Sequence, residues 1–393
     1  MTTFDIVGED AILDGSATDA YFERTETTLR HAGKNPRVVA EVTADQFPTG
    51  EYELLSGVKD AAALLEGRNI DVDAIPEGRL FDGGPVMRIE GQYLAFARFE
   101  TSLLGFLSHA SGVATAALEV RRAAPDSTVL SFGARHVHPS IAAMIERSAL
   151  VAGLDGISHV AAGEILGHEA SGTMPHALMI CFGRGNQEEA WLAFDEAVDE
   201  SVPRVALCDT YSDETDEVLR AVDALGDRLD SVRLDTTSSR RGDFRHIVRE
   251  VQWTLDAYGE DVEVFVSGGL GPEELRHLRD AADGFGVGGY VSNADPVDFA
   301  LDIVEIDGEP AAKRGKLTGA KEVYRTPDGG HHVGFRGREG PEDGETLLEP
   351  LIRDGELVEG VSFDIEAAAE RAARDAELTG FPRANASGKP SDE

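Results

Sequence analysis

Basic residues are scarce in this chain. Its 393 residues carry 36 lysines and arginines against 73 aspartates and glutamates, a formal net charge of -37. The acids recur along nearly every segment, so the field is not that of one tail. A field of that sign repels phosphate backbones and anionic headgroups, which excludes nucleic acid and membrane surfaces as expected partners. Lysine is rarer than arginine, and a uniformly acidic surface on a globular composition points to adaptation to high salt. Cysteine is nearly absent. Cys181 and Cys208 both sit in apolar runs and read as buried thiols rather than a disulfide, and two are too few for a zinc knuckle. No N-terminal leader pattern is visible, and no apolar run reaches the roughly 18 residues of a membrane span. The expectation is a soluble, cytoplasmic protein, long enough for two domains or for one barrel with an added lobe.

Glycine, by contrast, is plentiful, with 43 residues, and two stretches concentrate it. Val264-Phe265-Val266-Ser267-Gly268-Gly269-Leu270-Gly271-Pro272 reads as an apolar strand, a glycine turn and a helix start with proline at the first helical position. Gly284-Phe285-Gly286-Val287-Gly288-Gly289-Tyr290 reads as a second strand and turn. Glycines at strand ends let backbone N–H groups approach an anion closely. Gly268, Gly269, Gly288 and Gly289 therefore predict either a phosphate cup or a pair of tight turns that hold nothing.

The chain divides into three parts. Residues 1–110 mix strand-like pieces (Arg37–Val42, Val86–Gly91, Tyr93–Phe99) with a short helix around Asp60–Glu66, an α+β pattern. A small-residue helix from Thr101 to Arg122 leads into residues 111–304, which continue as strand–helix units. Thr128–Phe132 leads to a helix from Ser140, Arg204–Cys208 to one from Asp213, Val232–Leu234 to one from Asp243, and Val262–Val266 to one from Pro272. Repeated βα units without a Rossmann fingerprint predict an α/β barrel. Residues 305–384 read as a β-rich return segment, with a helix over Asp364–Glu377, and 385–393 as a disordered tail.

In a parallel barrel the reactive residues collect where strands end. Phe132 and Arg135 follow the first barrel strand, and Ser158 follows Gly156-Ile157. Asp209 follows the next strand, Arg233 and Asp235 the one after, and the glycine turns come last. Asp209 and Asp235 suit a ribose diol or Mg²⁺, or else are ordinary helix N-caps. Arg233 at a barrel mouth calls for an anion. His176, after Gly172-Thr173-Met174-Pro175, is either a satisfied structural histidine or a nucleophile facing phosphate.

Seven motifs occur in order: Asp19-x-Tyr21-Phe22-x-Arg24-Thr25, Phe99-Glu100-Thr101-Ser102-Leu103-Leu104, Phe132-Gly-x-Arg135, Gly172-Thr173-x-x-His176, Asp209-Thr210-Tyr211, Arg233-x-Asp235 and Gly288-Gly289. Together they resemble the nicotinate phosphoribosyltransferases of the compact archaeal type. That resemblance implies a type II phosphoribosyltransferase with an incomplete barrel and a lobe built from both ends of the chain. It implies joining nicotinate to phosphoribosyl pyrophosphate, coupled to ATP hydrolysis, in a head-to-tail homodimer with shared active sites. Phe132 and Tyr21 of the partner subunit would sandwich the pyridine ring, and Arg233 would lie over it or face its carboxylate. Arg135 would meet phosphate or pyrophosphate. Asp209 and Asp235 would hold ribose hydroxyls and Mg²⁺, the glycines the 5′-phosphate, and His176 would accept phosphate from ATP. Ser158 stands where nicotinamide-specific relatives carry an acid, and a hydroxyl that donates to a carboxylate favours nicotinate.

Three departures stand out. Asp235-Thr236-Thr237-Ser238 replaces the family's Asp-Ser-Gly-Asp. No cysteine knuckle is present near Arg325–His332, so no structural zinc is expected, and His331, His332 and Asp328 read as a hairpin turn rather than a metal site. Lys313 and Lys316 either reach a phosphate or balance local charge. Two rival readings remain: a quinolinate phosphoribosyltransferase, which needs no ATP and decarboxylates, and a non-catalytic nucleotide sensor on the same scaffold.

Overall fold

The computed structural model describes residues 4–48, 51–235, 242–327 and 329–382. Asp328, residues 236–238 and the tail 385–393 lie outside them. The chain forms two compact units, one of residues 1–118, 147–153 and 294–393, the other of residues 119–146 and 154–293.

In the first unit, seven strands form a sheet in the order 309–310, 298–306, 37–46, 85–92, 70–74, 349–353, 356–357. Strand Asp298–Ile306 runs antiparallel to Arg37–Gln46, so the last apolar stretch assigned to the barrel belongs to this sheet. Its buried face meets Phe96, Phe99, Leu103 and Leu107 in one core, each such side chain contributing about 1.5–3 kcal/mol. The strand expected over Tyr93–Phe99 is instead two 3₁₀ turns, Tyr93–Ala95 and Ala97–Phe99. Phe96 and Phe99 are both buried three residues apart, a spacing that suits a three-residue turn and not an alternating strand.

The helical stretch Ala97–Ala123 is long and apolar enough to cross a membrane by length and composition alone. Leu107, Val113, Ala114 and Ala117 along it are nevertheless wholly buried, as in the core helix of a globular fold. Lys313 and Lys316 both pair with Asp302, at 2.7 and 3.2 Å. His331 is not a solvated turn residue: its ring is buried, bonded to Asp82 at 2.6 Å and set edge-on to Tyr52.

The second unit carries six strands: β1 Thr128–Ser131, β2 Gly156–Ile157, β3 Val205–Leu207, β4 Ser231–Leu234, β5 Glu263–Ser267 and β6 Gly284–Val287. They lie in the order β2-β1-β6-β5-β4-β3, all parallel. Helices connect them, which makes the fold α/β. Asp213 and Asp243 cap two of these helices by accepting from the N–H groups of Thr215 and Arg245, where the sequence marks their starts. Of the two thiols, Cys208 is buried but Cys181 is exposed. Helix His176–Phe182 is a short one that buries Met179 and turns Cys181 and Ile180 outward.

Burial lifts the pKa of Glu100 to about 7, with Asp302 and Asp19 adding to the rise and Lys313 opposing it. A carboxyl whose folded pKa lies above its unfolded value costs nothing at acid pH and destabilises progressively between about pH 4.5 and 7. Glu100→Gln should therefore raise stability by about 1–2 kcal/mol at pH 8, after discounting for solvent screening, and change it little at pH 4. Thermal unfolding of both proteins at the two pH values checks this.

Candidate active site

Every strand of the parallel sheet ends at a residue singled out by the sequence: Phe132 after β1, Ser158 after β2, Asp209 after β3, Asp235 after β4, Gly268 after β5 and Gly288 after β6. His176 begins its helix six residues beyond Ala170, which makes a lone parallel bridge to Ile157. All these residues belong to the second unit, as do Arg135 and Arg233. Tyr21 lies in the first, on helix Ala20–His31, with 56% of its surface exposed beside a buried Phe22.

The centre of the site is a hydrogen-bonded set of charged groups. Asp209, its carboxylate fully buried, lies with Oδ1 2.9 Å from His176 Nε2. Its Oδ2 accepts from the Asp235 N–H at 2.7 Å. Asp235 Oδ1 accepts from the Ser267 hydroxyl at 2.5 Å, and its Oδ2 lies 3.7 Å from both His176 Nδ1 and Arg233 Nη2. Arg233 donates to the Met174 carbonyl at 3.1 Å. Its Nε is buried with no partner among the described residues. Burial lowers its pKa, Asp235 and Asp209 pull the other way, and Arg135 adds a second positive charge. A buried guanidinium with an idle donor, near another cation, fits an anionic ligand.

The glycines act in two different ways. Gly268 has φ +100°, and a Cβ there would lie 2.3 Å from the Asp235 carbonyl oxygen. Gly269 has φ +70° and opens on free space. Gly284 and Gly286 sit inside β6, the strand that leads into the Gly288-Gly289 turn. A Cβ on Gly286 would meet the Phe132 ring at 2.4 Å, and one on Gly284 would meet Phe265 at the same distance. The two glycines make room for two rings whose centroids are 6.2 Å apart. Gly288 and Gly289 face His136, the neighbour of Arg135.

Among the described residues no three His, Cys, Asp or Glu side chains converge as a metal cage. Both oxygens of Asp209 already accept, whereas Asp235 Oδ2 lies 3.7 Å from His176 Nδ1 and from Arg233 Nη2. That supply fits Mg²⁺ only as an ion whose other ligands are substrate oxygens and water.

Sequence reasoning missed Ser267, which orients Asp235, and Glu146, a carboxyl with no exposure beside Ser131 and the amides of Ser158 and His159. Burial raises its pKa. Ser267 was legible as the last residue of an apolar strand before two glycines. Glu146 lies on a helix and carried no signal.

Residues 19–111 match the family described as quinolinate phosphoribosyl transferase, N-terminal domain, and residues 113–302 match its C-terminal domain. The chain belongs to that phosphoribosyltransferase family. It is 31% identical over 340 residues to a nicotinate phosphoribosyltransferase of Mycobacterium tuberculosis, spanning 80% of this chain and 75% of the relative. A nicotinate phosphoribosyltransferase of Bacillus subtilis is 28% identical over 66% of this chain and 56% of its own length. Among solved structures, nicotinate-nucleotide pyrophosphorylase from Pyrococcus furiosus matches with TM-score 0.91 and 46% identity over 97% of this chain and all of that one. Human nicotinic acid phosphoribosyltransferase shares the fold, with TM-score 0.79 at 21% identity.

Substituting the two adjacent glycines separates strain from collision. Gly269→Ala should cost about 1–2 kcal/mol for its positive φ alone. Gly268→Ala should cost about 1–3 kcal/mol more, since its Cβ meets backbone. Urea unfolding of the two variants measures the difference, and equal losses would contradict the geometry.

Proposed function

We propose that this protein is a nicotinate phosphoribosyltransferase. It joins nicotinate to phosphoribosyl pyrophosphate, coupled to ATP hydrolysis through phosphorylation of His176, in NAD biosynthesis within the cytoplasm. The observation that carries the reading is the contact of His176 with Asp209 and Asp235 at the ends of adjacent parallel strands. The curated relatives named for nicotinate support the substrate. The strand order supports an incomplete barrel: chain order runs unbroken around the sheet from β3 through β6 to β1 and β2, so only a β2–β3 pairing separates it from a closed ring.

In this reading the pyridine nitrogen attacks the anomeric carbon as the bond to pyrophosphate breaks, through an oxocarbenium-like centre. Phe132 offers a flat face to the ring, with Tyr21 of the partner subunit covering the other, which suits the exposure of Tyr21 in one chain. Ser158 donates to the carboxylate. Arg233 takes the carboxylate or the ring, and Arg135 takes the leaving pyrophosphate. Asp209 and Asp235 hold the ribose hydroxyls, and Gly268, Gly269, Gly288 and Gly289 present N–H groups to the 5′-phosphate. Asp235 would hold a Mg²⁺ ion together with substrate oxygens, and that ion would supply charge neutralisation on the leaving group. His176 Nε2–H donates to Asp209, leaving the lone pair on Nδ1 to attack the γ-phosphorus of ATP, forming an N–P bond as the bond to ADP breaks.

The family description keeps a second reading in play, transfer to quinolinate with decarboxylation and no ATP. One assay decides: nicotinate or quinolinate with phosphoribosyl pyrophosphate and Mg²⁺, with and without ATP. Turnover of nicotinate stimulated by ATP is expected. His176→Ala should abolish the stimulation and leave slow basal transfer, and Ser158→Asp should lower nicotinate use about tenfold or more. Turnover of quinolinate alone supports the second reading. Silence with measurable ligand binding points to a sensor.

A further inference from the structure

Glu217 lies on helix Glu214–Leu225, has no exposed surface, and is turned back toward the loop that follows β3. Its carboxylate collects four donors. Oε2 accepts from the Thr210 N–H at 3.0 Å, while Oε1 accepts from the N–H groups of Tyr211 and Ser212, each at 2.7 Å, and from Gln187 Nε2 at 3.0 Å. Gln187 is itself buried and held from behind, since its Oε1 accepts from the Gly185 N–H at 3.1 Å and from Arg220 at 3.3 Å.

Starting the helix does not require this arrangement. The Asp213 side chain already accepts from the Thr215 N–H at 3.1 Å, which is the usual capping bond. Glu217 instead fixes three successive amides that belong to no helix or strand. They follow Asp209 directly, and the other side of Asp209 is pinned where the Cys208 N–H donates to the Arg233 carbonyl on β4 at 3.1 Å. With its backbone held on both sides, Asp209 presents its carboxylate to His176 Nε2 and the Asp235 N–H. Only an ionised carboxylate accepts four donors at once. A glutamine would turn an NH₂ toward one of the loop amides.

We propose that Glu217 is the positioning residue of this site, holding the loop over residues 210–212 so that Asp209 meets His176. It acts through Asp209 and touches no substrate. The kinetic consequence rests on His176 being the phosphate acceptor, whereas the spectroscopic consequence does not.

The test is Glu217→Gln in the full chain, read first by the ¹⁵N resonances of the His176 imidazole, which report the Nε2–Asp209 contact. The resonances should move toward those of Asp209→Asn. ATP stimulation should fall about tenfold, with KM for nicotinate within about twofold, the scale of outer positioning contacts. A folded Glu217→Gln protein with a wild-type His176 spectrum overturns the proposal. A shifted spectrum with undiminished ATP stimulation upholds the positioning role and removes His176 from the chemistry. Should the variant fail to fold, amide exchange in the wild-type protein decides. The amides of Thr210, Tyr211 and Ser212 should exchange at least about a hundredfold more slowly than open-loop amides, and free exchange overturns the proposal.

Discussion

The bond between Asp209 and its two neighbours carries more of this structure than any other single contact at the site. One buried carboxylate takes the imidazole of His176 on one oxygen and the backbone N–H of Asp235 on the other. It thereby ties the end of β3 to the end of β4 and to the helix that begins at His176. Asp235, so placed, takes the Ser267 hydroxyl at the end of β5, and the Gly268 backbone closes on its carbonyl. Bonds to a buried charge are each worth about 1.5–3 kcal/mol, and losing one partner strands the rest. Three strand ends are registered through two side chains, Asp209 and Asp235.

The same edge of the sheet is shaped by what is missing. Gly284 and Gly286 leave two gaps along β6 that the rings of Phe265 and Phe132 fill. A ring seated on a bare backbone can lie flatter than one seated on side chains, and Phe132 keeps part of its surface open. Arg233 shows the complementary economy: it is buried, with Asp235 3.7 Å away and one donor idle. The site pairs a fixed acidic cluster with an unsatisfied cation, which suits a substrate carrying both hydroxyls and anionic groups.

Much of this was legible because strand ends announce themselves. An apolar run followed by Asp, Gly or Arg located Asp209, Arg233, Asp235 and Gly268 without any structure, and the capping aspartates Asp213 and Asp243 marked two helices to the residue. Other features were hidden for physical reasons. Three-residue spacing of Phe96 and Phe99 mimics a strand in a run of apolar letters. Gly284 and Gly286 show no reason for being glycine until the rings above them are placed. Glu217 reads as one more surface acid in a chain full of them, because only the fold turns it inward. Cys181 sits in an apolar run that a short helix cannot bury on all sides.

In the proposed reaction the His176–Asp209–Asp235 cluster is the reactive centre and His176 takes a phosphoryl group. The most direct measurement is incubation of the protein with γ-labelled ATP, followed by location of the label. The account predicts an acid-labile, base-stable phosphate on His176, which is discharged when nicotinate and phosphoribosyl pyrophosphate are added. Label on another residue, or ATP-stimulated turnover with His176 never labelled, would contradict it.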